Sequence, residues 1–177
     1  MQSSTVEAPA GMALTFPTDG VSVPQSNLKK TDNGAVHRIL SRNRLHLQHG
    51  PIDLIIVVDG PEQVQNKAFD RAIYRFDPIL EELVAELPVL KTSWHPSFPN
   101  LKGRVAKRML EAVQDLDGFI TPMAAVAGAV ADEIRDVMLE VSGIRRLMVN
   151  NGGDIAFDLT PGTECRFGVF ELKEAPE

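Results

Sequence analysis

Two stretches of this 177-residue chain combine residue types that can handle a small charged molecule. The first runs Thr121-Pro122-Met123-Ala124-Ala125-Val126-Ala127-Gly128-Ala129-Val130-Ala131. Thr121 can cap a helix, Pro122 suits a first helical turn, and nearly everything after them is small. A helix this bare lets another backbone or a flat ligand come close. Its N-terminus offers free N–H donors and the positive end of a dipole to an anion such as phosphate. Tight packing on a sheet would explain the small residues equally well. Gly128 sharpens the question, because a mid-helix glycine costs about 1 kcal/mol against alanine, so something should approach closely there.

The second stretch is Met148-Val149-Asn150-Asn151-Gly152-Gly153-Asp154-Ile155, a strand running into a double-glycine bend. Asn-Gly is the strongest short hairpin signal, so a plain turn is one reading. The other is that the paired glycines bare amides for a phosphate or ribose, with Asp154 set for a hydroxyl or a metal. Thr121, Met123, Ala124, Gly128, Asn151, Gly152, Gly153 and Asp154 are therefore the candidate binding set; no catalytic residue and no metal ligand can be named. The histidines add little: His46 and His49 flank a turn without a carboxylate pattern, and His95 could line a cleft. Asp53 interrupts an apolar run, so it either faces water or serves a site, since a buried carboxylate needs a partner.

The elements that would hold these residues are legible in outline. Residues 1–36 are rich in turn and breaker residues and read as a mobile tail, with a weak strand pattern only around Met12–Phe16. Residues 37–177 read as one domain. Leu45 and Leu47 alternate with polar neighbours, Gly50-Pro51 punctuates, and Ile52–Val58 is an apolar run, which together suggest a hairpin. Pro61 opens a helical period that Pro78 should split after Arg75 or Phe76. Trp94–Asn100 reads as an ordered loop, and Val105–Leu116 as a helix. Met123–Val141 is the clearest helix, closed by Gly143. Short strands follow at Arg146–Val149, Ile155–Leu159 and Cys165–Phe170. Helices segregated from strands in this way predict an α+β fold, an antiparallel or mixed sheet with helices packed on it.

Composition narrows the class. A net charge of −6 argues against nonspecific nucleic-acid binding, and the short run Arg38, Arg42, Arg44 reads as a solvated edge. One cysteine, Cys165, permits no internal disulfide. No signal-peptide pattern and no apolar window of the ~18 residues needed to span a membrane is visible, so a cytoplasmic protein without a membrane partner is expected.

The motifs Gly50-Pro51-Ile52-Asp53-Leu54, Pro122–Ala131 and Asn151-Gly152-Gly153-Asp154-Ile155 resemble an uncharacterised ApbE-like family related to the FAD:protein FMN transferases. The resemblance spans roughly His37 to Phe170. It implies an ApbE-like layered fold, short at its C-terminus, and a flavin or other nucleotide-like anion near Gly152, Gly153 and Asp154, with FAD and magnesium as the cofactors. If the chain is an enzyme, the resemblance implies a flavin transferase, although the late Thr-Ser-Gly stretch of the transferases is missing and the catalytic set is incomplete. The alternative is a non-catalytic homo-oligomeric module in which a like subunit pairs with the apolar strand near Cys165–Phe170.

Overall fold

The computed structural model describes residues 28–41 and 43–165. Six strands form one antiparallel sheet in chain order: β1 Lys29–Lys30, β2 Val36–Ser41, β3 Arg44–His49, β4 Ile52–Asp59, β5 Arg146–Asn151 and β6 Asp154–Leu159. Among the described residues every helix lies in the single long connection between β4 and β5: α1 Glu62–Phe76, α2 Ile79–Leu90, α3 Arg104–Val113 and α4 Val126–Leu139. The α+β class expected from the sequence is what forms, and all its strand pairs are antiparallel.

Alternation decides which side of the sheet the helices cover. Leu45 and Leu47 of β3, with Leu54, Ile56 and Val58 of β4 and Leu147 and Val149 of β5, are at most 1% exposed and belong to one core. The register places them in rows across the sheet, for example Leu45 opposite Ile56 and Ile56 opposite Val149. Into that row set α4 inserts Val130, Ile134 and Met138, and α1 inserts Ala68, Phe69, Ala72 and Phe76. Fully burying a side chain of this size contributes about 1.5–3 kcal/mol, so the sheet and the two helices hold each other.

Breakers act where the chemistry of proline and glycine requires. Gly50, at φ +56°, and Pro51 turn β3 into β4 with His49 opposite Ile52. Pro78 stands at the N-terminal boundary of α2, which separates it from α1 after Phe76. The loop 92–103 is tied down by the Trp94 amide donating to the Ile120 carbonyl at 3.1 Å, and His95 stacks edgewise on Phe98.

The structure departs from the sequence reading at two points. Lys29–Lys30 and Val36–Ser41 form strands in a region whose sequence shows no clear alternation. The helix expected from Met123 starts as a 3-10 turn over Pro122–Ala125 and becomes α-helical only at Val126. The expected strand at Cys165–Phe170 falls, apart from Cys165, outside the described residues, as does the weak pattern at Met12–Phe16.

Candidate functional site

The fold brings the two candidate stretches together. β5 and β6 are joined by Gly152 and Gly153, at φ +62° and +114°, between the paired residues Asn151 and Asp154. Two consecutive positive φ values define a primed hairpin turn, which side chains other than those of Gly, Asn and Asp resist. The turn reading of Asn-Gly-Gly-Asp is thus satisfied by geometry alone. Gly153 is also already engaged: its amide donates to Asn150 Oδ1 at 2.9 Å.

Asn151 faces the helices and is buried, and its Nδ2 donates to the Ala127 carbonyl of α4 at 3.0 Å. It acts as a strut between hairpin and helix. The small residues of α4 serve two purposes. Ala129 and Ala131 are buried in the core, which is the packing role. Gly128 is different: a Cβ built on it meets nothing within 4 Å. No close protein contact accounts for that glycine.

Gly128 instead borders a hollow of about 190 Å³ lined by Arg108 and Ala112 of α3, by Ala124, Ala125, Ala129 and Asp132, and by Asp154 at the start of β6. Of the candidate set, Ala124, Gly128 and Asp154 line it, and Asn151 braces its wall. Thr121 is extended, with no side-chain cap, and its carbonyl accepts from the Ala124 amide at 3.0 Å. Met123 packs against the core. Gly152 and Gly153 stand exposed at the turn. Among the amides at the start of this helix, the 3-10 turn uses that of Ala124 internally.

The charges around the hollow were not anticipated from the sequence. Arg108 is engaged by buried Glu133 at 3.3 Å and by Asp136 at 2.5 Å. Glu133, at 0% exposure, also meets Arg75 at 2.6 Å and Arg104 at 3.3 Å, so one carboxylate of α4 ties α1 and α3 together. Burial alone would lower the Arg75 and Arg108 pKa values, but their carboxylate partners outweigh it and raise both. Burial would likewise raise Asp136, but hydrogen bonds from Arg135 and Arg108 hold it below the usual carboxylate value. Asp132 pairs with Arg135 at 2.6 Å. The Asp154 side chain forms no hydrogen bond or ion pair with any described residue. Arg108 and Asp132 are each neutralised by a partner, so the unpaired charge at the hollow is the Asp154 carboxylate, which suits a hydroxyl, an amine or a cation. A bare phosphate would be repelled.

A signal for Glu133 was present in the sequence. It lies three residues after Val130 and four before Val137, on the apolar stripe itself, where a charge must be paired. The contribution of Arg108 was not visible, since it depends on how α3 crosses α4, whereas Asp132 stands one turn after Gly128 on α4. Elsewhere, Asp53 faces water as one of its two readings had it, and it bonds His46 at 3.0 Å, a partner the sequence spacing did not reveal.

Tests for a resident cofactor can be made on these residues. Among the described residues no group of three or more His, Cys, Asp or Glu could hold a metal ion. An enclosed volume of about 190 Å³ is also below the roughly 300–1,000 Å³ of pockets that bury a whole organic ligand. A complete FAD does not fit inside, and the site does not form a metal cage by itself.

Fold and site together define an α+β domain, one antiparallel sheet with helices on it and a small carboxylate-lined hollow at the edge. Over residues 36–177 the chain matches the family model described as AbpE bacteria, and it belongs to that family. This is a different family from the ApbE-like one, so the resemblance drawn from the motifs is corrected, and the transferase activity it implied loses its basis. Local physics explains why the motifs misled: a hairpin demands Asn-Gly-Gly-Asp, and a helix braced by Asn151 against a sheet demands alanine, whatever the family. No curated protein and no solved structure matches the chain. Among the described residues no helix is long and apolar enough to cross a membrane.

Proposed function

We propose that this domain binds a nucleotide-like ligand, a flavin nucleotide among the candidates, by inserting a sugar- or phosphate-sized part into the hollow beside Gly128. Gly128 carries the argument. It gives up about 1 kcal/mol of helix stability relative to alanine, yet no protein atom uses the space it leaves open. Asp132 and Asp154 suit ribose hydroxyls. They also suit a magnesium ion that arrives on the ligand's phosphates, since that ion is commonly held by one or two carboxylates plus phosphate oxygens. The remainder of such a ligand would lie across the open mouth. A cytoplasmic location accompanies this reading.

The test is to titrate purified protein with FAD, FMN and ATP, each with and without magnesium, following flavin fluorescence and melting temperature. Ligand at one hundred times its Kd should add about 2.7 kcal/mol of stability. No response to any of the three counts against the proposal.

A further inference from the structure

A larger cleft lies on the far side of the molecule from the β5–β6 hairpin, between the first strands and α1. It encloses about 460 Å³ and is lined by Leu28, Lys29, His37, Ile39, Asn66, Phe69, Asp70 and Ile73. An adjoining cleft shares His37, Asp70 and Ile73. Its floor is apolar: Phe69 is buried in the core, Ile73 packs against it, and Ile39 is 52% exposed.

Its rim is polar and unengaged. The side chains of Lys29, Asn66 and Asp70 form no hydrogen bond or ion pair with any described residue, whereas Arg71 and Arg75 of α1 are paired. Lys29 and Asp70 both act on His37 electrostatically, in opposite senses, yet they do not pair with each other. His37 Nδ1 is buried without a partner. Burial, reinforced by Lys29 and opposed by Asp70, holds this histidine below its usual value of 6.5, so it is neutral at pH 7. A positive and a negative group therefore stand apart around an apolar floor, with a neutral imidazole between them.

We propose that this cleft binds a small zwitterion with an apolar body, of the α-amino acid class. Its carboxylate meets Lys29, its ammonium meets Asp70, and its side chain covers Ile39, Phe69 and Ile73. A volume of about 460 Å³ falls in the range of pockets that enclose small ligands. Neither charge alone would favour a zwitterion. A lone cation would face Lys29, and a lone anion would face Asp70.

Calorimetric titration of the full chain with L-leucine, L-phenylalanine and L-tryptophan tests this directly. 3-Phenylpropionate and phenethylamine, each lacking one charge, serve as controls. At least one amino acid should bind, and at least ten-fold more tightly than either control. Asp70→Asn should weaken the amino acid at least ten-fold while binding 3-phenylpropionate no more weakly, and Lys29→Met should weaken the amino acid while binding phenethylamine no more weakly, since each control loses only a like charge. Both positions are exposed, so both variants should fold; matching circular dichroism confirms it. Equal affinity for the amino acid and its one-charge analogues overturns the proposal, as does no binding at millimolar concentration. Neither result bears on the hollow beside Gly128.

Discussion

Replacing Gly128 with alanine should make the protein more stable. Gly128 sits inside α4 at an ordinary helical φ, and the added Cβ meets nothing within 4 Å. No clash and no backbone strain oppose the change, so the helix-propensity difference of about 0.8–1.0 kcal/mol should appear nearly in full. For a domain of this length, 1 kcal/mol corresponds to a rise of roughly 2–4 °C in Tm. Urea titration and thermal melts of Gly128→Ala against the parent measure it. Gly128→Leu extends the logic: leucine is also a good helix former, but its side chain enters the hollow of about 190 Å³. That variant should keep its fold while losing FAD binding at least ten-fold in magnesium. If Gly128→Ala is destabilising, the space beside Gly128 is occupied and the reasoning about the hollow fails. If it stabilises but Gly128→Leu binds FAD unchanged, the space is open but is not the binding site.

Three further outcomes follow from the same contacts. Glu133→Ala leaves Arg75 and Arg108 partly buried without their shared carboxylate and should cost about 3–5 kcal/mol, read as a drop in urea midpoint. Asn151→Ala removes the donor to the Ala127 carbonyl; a loss of about 1–3 kcal/mol is expected, with faster amide exchange in the β5–β6 hairpin. Stability should also fall in acid over two windows. His37 is held below 6.5 in the folded protein, so the unfolded chain binds its proton first and stability declines as pH drops below 6.5. Asp136 is held below its ordinary 3.8, so its contribution is complete above that value and is lost as pH falls through the lower folded value. Urea midpoints from pH 8 to pH 2 should show both windows, with Asp136→Asn flattening the second and His37→Gln the first.

What the sequence could reveal depended on how local each cause was. Pro78 divides α1 from α2, and Gly50-Pro51 makes the first hairpin, because proline and glycine act on their own backbone. The run Ile55-Ile56-Val57-Val58 read correctly as a strand, though its continuity hid that Val57 is buried on the face opposite the helices. Helix α2 continues through Pro88 to Leu90, although proline has no N–H to donate to the Val84 carbonyl one turn back. The 3-10 start at Pro122–Ala125 was not legible, because nothing in Pro-Met-Ala-Ala separates it from an α-helical turn. The site suffered most. Gly128 and Asp154 could be singled out by type, and Asp132 follows Gly128 by one helical turn, but their meeting with Arg108 is a matter of tertiary packing, which no spacing encodes. Two of the amides expected to meet an anion, those of Ala124 and Gly153, are engaged within the protein, which residue type alone did not reveal.

The most direct test of the account is a crystal of the protein soaked with FAD and magnesium. The account predicts density for a ribose or a magnesium-bound phosphate within hydrogen-bonding or coordination distance of Asp132 and Asp154, in contact with Gly128. Only solvent in that hollow at saturating ligand, or FAD bound elsewhere on the surface, would contradict it.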